Sequence, residues 1–142
     1  MPYDELPALD KYMLGQLSAF VAETKSAYDD FAFSRVYNTL QQFAVGDLSA
    51  FYLDIAKDRL YISANDEFRR RSCQTVLAAV LDGLMAAMAP VLPHMAEDIW
   101  QALPYESAHK SVFQNGWPTL EYPLVDADEW TALRACRDQI NK

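Results

Sequence analysis

The chain has 142 residues, of which 51% are hydrophobic and 23% charged. That length fits one domain of about 100–150 residues, and the composition excludes a disordered tract. With 12 Lys and Arg against 20 Asp and Glu the net charge is −8, which argues against a general nucleic-acid glue or an anionic-membrane binder, since both need clustered positive charge.

Apolar residues spaced by three and four predict helices along most of the chain. Leu9, Met13, Leu17, Phe20, Ala27 and Phe31 mark a first helix from Asp10 to about Asp30, with Asp10 as its N-cap or first-turn acid. A second begins near Phe33 with Ser34 as a cap, and carries Val36, Leu40, Phe43, Leu48, Phe51, Tyr52 and Ile55. Gly46 inside it costs about 1 kcal/mol relative to Ala and predicts a kink or a close helix contact. Residues 60–65 turn the chain, and Asp66 is placed to cap a third helix. That helix has the most regular stripe in the sequence, running through Cys73, Val76, Leu77, Val80, Leu81, Leu84, Met85 and Met88. Pro90 and Pro93 end it, and Pro93 opens a shorter fourth helix through Leu103.

After Pro104 the character changes. Residues 104–125 interleave Gly116 and three prolines with Val112, Phe113, Trp117, Leu120 and Tyr122, and read as an extended strap laid over a core. Asp126 and Glu129 have capping-box spacing and open a last helix over 126–142, which is expected to be cut inside or just after its end. The predicted fold is all-α, a single domain over 1–142. It consists of a four-helix bundle over 10–103, the strap over 104–125 and the C-terminal helix.

Catalytic patterns are missing from the sequence. His94 and His109 show no metal-ligand spacing; His94 is placed in the first turn of the fourth helix and His109 in a surface loop. Cys73 falls on the apolar stripe, and its separation from Cys136 gives neither a disulfide framework nor a zinc knuckle. Adjacent Glu97 and Asp98 diverge on a helix and read as acids near its N-terminus. Trp100 and Trp117 read as core. No catalytic residue, metal or cofactor is expected of this chain. No apolar run reaches the ~18–20 residues of a membrane span, and the opening residues lack a signal-peptide pattern. A soluble, cytoplasmic, monomeric chain is the expectation.

The charge map is uneven. Between Lys57 and Arg71 five basic residues (Lys57, Arg59, Arg69, Arg70, Arg71) face three acids, so this window is +2 within a chain of −8. Tyr52, Tyr61 and Phe68 are interleaved with them. Guanidinium forks suit phosphates, and aromatic faces stack unpaired bases. A solvated helix end laced with ion pairs is the plainer reading of the same residues. Successive helix positions differ by about 100°, so Arg69, Arg70 and Arg71 cannot all face one way; at least one turns inward, with Asp54 or Asp58 as a partner. Asn38, Gln41 and Gln42 are exposed amides that read either as surface filler or as readers of base edges.

The run Asp47-Leu-Ser-Ala-Phe-Tyr-Leu-Asp-Ile-Ala-Lys-Asp-Arg-Leu-Tyr61 resembles a segment of isoleucyl-tRNA synthetases, in the helical anticodon-binding domain of the class I enzymes for large aliphatic amino acids. Flanking pieces resemble that family in the same order: Leu9-Asp-Lys-Tyr12, Arg70-Arg-Ser-Cys-Gln-Thr75, Met88-Ala-Pro-Val-Leu-Pro93, Ala96-Glu-Asp-Ile-Trp100, Ser111-Val-Phe113 and Trp117-Pro118. The resemblance covers nearly the whole chain. It implies a module that holds the anticodon stem-loop of tRNA(Ile), docked to the remaining domains of a parent ligase. The parent would use ATP and magnesium to activate isoleucine, and the family allows zinc in a further C-terminal domain. The family's His-x-Gly-His and Lys-Met-Ser-Lys-Ser type motifs do not occur in this sequence, so adenylation, transfer and editing are expected of the parent.

By resemblance, the start of the first helix is a tRNA contact surface, which brings in Lys11 and Tyr12. The family often has Arg and Trp there, and Lys lacks the planar fork. The charge map adds Lys57, Arg59, Tyr61, Arg69, Arg70 and Arg71. Alternatives are the equivalent domain of a valyl, leucyl or methionyl enzyme, a free-standing adaptor that grips a protein partner through the aromatic strap, or a structural bundle without a partner.

Overall fold

The computed structural model describes residues 1–140, the side chain of Asp138 excepted. A short 3₁₀ turn at Tyr3–Glu5 leads into α1 (Ala8–Asp29). Next come α2 (Phe33–Gln41), a π-helical stretch (Gln42–Leu53) and α3 (Asp54–Tyr61), which follow one another without a break. Then come α4 (Phe68–Met88), α5 (Pro93–Gln101), the single turn α6 (Val112–Asn115) and α7 (Ala127–Ile140). The described residues form helices and connections with no strand, so the all-α class holds. None of the helices is long and apolar enough to cross a membrane. Asn141 and Lys142, the end of the predicted last helix, lie outside the described residues.

Three expected caps are not made. α2 starts at Phe33 with Ala32 before it, so Ser34 lies within the first turn and does not cap it. α4 follows Glu67, which makes no side-chain cap bond, and Asp66 lies outside the helix. Asp10 is the first-turn acid of α1 and not its cap, which is Pro7, and it is fully buried. α1 does have a well-formed C-terminus. The Ala32 N–H reaches the Ala27 carbonyl at 2.8 Å and the Phe31 N–H reaches that of Tyr28 at 3.0 Å, the two bonds of a Schellman cap. Phe31 sits at the left-handed position of that cap, at φ 54°, where glycine is the unstrained choice.

α1 and α4 are the two long elements, and their apolar faces meet over Met13, Leu17, Val21, Val76 and Val80. The α2–α3 run closes the third side, where Phe43 stacks on Phe20 with ring centroids 4.2 Å apart. Leu81 belongs only to the fringe of a second, smaller cluster of Met85, Ala89, Ala96, Trp100 and Val112, formed where α5 and α6 fold over the end of α4. Pro93 opens α5, and His94 falls in its first turn. Trp100 is buried and its indole N–H donates to the His109 carbonyl at 3.1 Å.

The strap is irregular chain interrupted by α6, and it is tied down at both ends. The Glu97 carboxylate accepts from Gln101 Nε2 at 2.7 Å, Ser111 Oγ at 2.8 Å and the Val112 N–H at 3.1 Å. These bonds, that from Gln101 first, hold its pKa below the ordinary carboxylate value. Farther on, the Tyr122 N–H donates to Ser18 Oγ at 3.0 Å, Tyr122 stacks on Tyr3 at 5.6 Å, and Trp117 meets Tyr28 edge-on at 6.0 Å. The strap passes so close to α1 that a methyl group on Gly15 would lie 2.6 Å from the Pro123 carbonyl oxygen. Tyr122 and Trp117 are thus engaged within the chain, whereas Phe113 of the strap stays exposed.

Candidate nucleic-acid interface

The end of the bundle where α1 begins, α3 ends and α4 begins is organised by one buried carboxylate. Asp10 is 0% exposed. It accepts from Tyr52 Oη at 2.7 Å, from Ser72 Oγ at 2.5 Å and from Arg59 Nη1 at 3.3 and 3.4 Å. A buried charge is tolerable when it is paired and its lone pairs are used, and here three helical elements supply the donors. Burial and then the Asp10 charge push the Tyr52 hydroxyl far above its ordinary pKa, so it stays a donor. Burial likewise raises the neighbouring Cys73 thiol and keeps it unreactive.

This hub decides which basic residues face outward. Arg59 is drawn inward onto Asp10 and is not a free cation. Arg70 is the member of the triple that turns in, as helix geometry requires. Its partner is the Ser63 carbonyl, reached at 2.9 Å, and not Asp54 or Asp58. The bond latches the turn between α3 and α4. Arg69 and Arg71, on either side, are exposed. Lys57 is exposed and lies 2.9 Å from Asp54, whose carboxyl is held below its ordinary pKa by that hydrogen bond first and by Arg137 after it. Tyr61 is 85% exposed, and Ile62 and Phe68 stand out beside it.

The start of α1 contributes less than the family resemblance implies. The Lys11 ammonium donates to the Asp4 carbonyl at 2.9 Å and lies 5.5 Å from the centre of the Tyr3 ring. Tyr12 is withdrawn altogether, at 4% exposure. Trp130 of α7 stacks on it with centroids 4.9 Å apart, Phe51 meets it edge-on at 6.0 Å, and its hydroxyl accepts from Arg134 Nη1 at 3.2 Å. Arg134 also pairs with Asp47 at 2.5 Å, and Arg137 donates to the Ala50 carbonyl at 3.0 Å and pairs with Asp54. α7 therefore closes over Tyr12, and a base stacked on that ring would first have to displace Trp130.

Of the eight residues selected from the sequence, the structure leaves Tyr61, Arg69 and Arg71 open and Lys57 exposed but paired with Asp54. Lys11 is half-buried beside Tyr3, while Arg59, Arg70 and Tyr12 serve the fold. The sequence reading overlooked Asp10 as a hub, although a signal was present: Asp10 stands three, four and seven positions before Met13, Leu14 and Leu17, on their buried stripe. A carboxylate on such a stripe needs buried donors. What remains outside is mixed in charge: Lys57, Arg69 and Arg71 stand among the exposed acids Asp54, Asp58, Asp66 and Glu67, with the open ring of Tyr61 beside them.

Comparison with known proteins gives the family. Residues 10–142 match the family model described as the anticodon-binding domain of tRNA ligase. Proteins named isoleucine–tRNA ligase are similar along the whole chain. That of Thermosynechococcus vestitus is 55% identical over 145 positions, that of Nostoc punctiforme 54% over 145, and that of a Synechococcus species 53% over 146. Each alignment covers 100% of this chain and 15% of the relative, so the chain spans about a seventh of the length of the curated relatives it matches. With an all-helical fold and a match over nearly every residue, the chain belongs to the anticodon-binding domain family of tRNA ligases.

Proposed function

We propose that this chain is the part of an isoleucine–tRNA ligase that holds the anticodon stem-loop of tRNA(Ile), so that the distant acceptor end meets the catalytic part of the enzyme. The isoleucine assignment rests on the shared name of the similar ligases and on the Lys57 to Tyr61 run; valyl, leucyl and methionyl relatives are the less favoured choice. One observation carries the binding reading: Arg69, Arg71, Lys57 and Tyr61 are exposed together at one end of a chain whose net charge is −8. Phosphate contacts there would fix position and register without reading sequence. Activation of isoleucine and its transfer fall to the rest of the ligase, and no residue of this chain is assigned to ATP, magnesium or zinc. A monomeric state and a cytoplasmic site of action belong to the same proposal.

The test is charge reversal at residues that the fold does not use. Arg69→Glu with Arg71→Glu weakens binding to a tRNA(Ile) anticodon hairpin and flattens the dependence of log Kd on log salt by roughly one to two units of slope. Unchanged affinity and slope in the double variant, with an unaltered helical spectrum, refute this placement.

A further inference from the structure

The end of the bundle opposite the basic one is apolar. α1 and α4 run the same way, because Ser72 near the start of α4 meets Asp10 near the start of α1, while Tyr28 Oη near the end of α1 donates to the Ala87 carbonyl near the end of α4 at 2.9 Å. Helical rise puts Tyr28 roughly 27 Å along α1 from Asp10. At this far end large apolar side chains stand exposed: Phe31, Phe33 and Tyr37 where α1 passes into α2, and Val91, Leu92 and Met95 where α4 passes into α5. The charges beside them are cancelled within the chain. Lys25 pairs with Asp29 at 2.9 Å, and Arg35 pairs with Glu23 and Asp30 at 3.0 Å each.

Phe31 is the informative position. It occupies the left-handed site of the α1 cap at φ 54°, where a β-carbon crowds the backbone and a bulky residue is an outlier. Its side chain is 78% exposed, and its aromatic neighbour is the equally open Phe33, edge-on at 6.5 Å. Glycine would close the same cap without strain and without an apolar ring in water. Neither the cap nor the core calls for phenylalanine. Backbone strain and a solvated ring are both unfavourable in the chain alone, and both are accounted for when a second surface covers the ring. Aromatic and Met side chains without unpaired charge are the composition of an interface core.

We infer that this end packs against an apolar face of another part of the same ligase polypeptide, with Phe31, Phe33 and Met95 buried in the contact. RNA is a poorer occupant, because Lys25 and Arg35 are already spent on carboxylates and phosphates need free cations. A freely diffusing protein is poorer too. This chain matches only 15% of the length of its relatives, so in such a protein the module is delivered with the rest of the polypeptide beside it. A tethered partner meets its site at high effective concentration and needs no charge to steer it. The two ends of the bundle then divide the work: the apolar one fixes the module within the protein, and the basic one is left for RNA. The inference rests on the reading of the chain as part of a longer ligase and adds which surface holds it in place.

The experiment is hydroxyl-radical footprinting of the full-length ligase that contains this chain, without tRNA. Each side chain's oxidation rate is taken relative to that of the same residue in its proteolytic peptide. Phe31, Phe33 and Met95 are slowed as strongly as Phe20 and Met13, which the bundle itself buries. Oxidation of the three near the peptide rate overturns the inference. So does protection that is lost on dilution, which makes a second copy the cover, or protection that appears only with the tRNA(Ile) anticodon hairpin, which makes RNA the cover. Phe31→Asp keeps a residue that the left-handed site accepts and places a carboxylate in the contact. In that variant Phe33 and Met95 oxidise severalfold faster while Met13 is unchanged; unaltered rates at Phe33 and Met95 overturn the place given to the ring. The anticodon-binding reading fails separately: if the hairpin does not slow Tyr61 and Phe68 at the basic end, that reading is refuted, and the protection of Phe31 is untouched.

Discussion

Replacing Asp10 with Ala tests whether a single carboxylate organises the basic end. The substitution removes the acceptor for Tyr52 and Ser72 and leaves the Arg59 guanidinium, largely shielded from water, without its partner. Breaking a buried ion pair from one side costs about 3–5 kcal/mol, and a buried hydroxyl left unpaired costs about 1–3 kcal/mol. These terms overlap, because water enters the vacated space, so about 3–5 kcal/mol is the expected loss. That is a large share of the roughly 5–15 kcal/mol that holds a domain together. Urea unfolding followed by far-ultraviolet circular dichroism reads it as a fall in midpoint at constant slope. Asp10→Asn, which keeps one carbonyl acceptor for Tyr52, loses less. Combining Asp10→Ala with Arg59→Met recovers part of the loss, since the stranded charge is gone. A cost below about 1 kcal/mol for Asp10→Ala, or no recovery in the double variant, would refute the hub.

Two further perturbations probe the strap. Gly15→Ala gains up to about 1 kcal/mol of helix propensity, but its methyl group would meet the Pro123 carbonyl at 2.6 Å, so the strap must lift away. A net loss of about 1–3 kcal/mol and faster proteolytic cleavage near residues 117–125 are expected; a more stable variant would show that the strap yields freely. Asp82 accepts from Tyr105 Oη at 3.3 Å, and burial raises its pKa against the smaller, opposing effect of that bond. A carboxyl with a raised folded pKa binds its proton more tightly in the native state, so its contribution to stability falls as pH rises from the ordinary carboxylate value through the raised one. Asp82→Asn is therefore more stable than the parent at pH 7, and the advantage shrinks on acidification through that window; an advantage that grows on acidification contradicts the sign.

The helices were legible because their apolar spacing is local. Leu17, Val76 and Val80 are buried as the stripes imply, and Pro93 opens α5 where proline fits the first turn. The π-helical stretch was not legible. Three of its four buried residues, Phe43, Asp47 and Phe51, are four apart, a spacing an α-helix would also give, and only the backbone pairing separates the two. Gly46 was expected to mark a kink or a close contact, and it faces open space. At the basic end the sequence identified the cluster but not its orientation. Arg59 turns in because Asp10, 49 positions away, needs donors. Tyr12 is covered because α7 brings Arg134 and its neighbour Trp130 across from 122 positions on. Such separations leave no mark on periodicity. The inward turn of one arginine in the triple did follow from helix geometry alone, whereas its carbonyl partner depended on how the turn after α3 folds.

Where a folded RNA touches the chain is the decisive question. Titrating the isotopically labelled protein with the tRNA(Ile) anticodon hairpin and following backbone amide shifts measures this residue by residue. Docking of the hairpin at the basic end places the largest changes at the end of α3 and the first turn of α4, around Lys57, Tyr61, Arg69 and Arg71, and makes them fade as salt is raised. Shifts confined to α5 and the strap, with residues 57–71 silent, would contradict it.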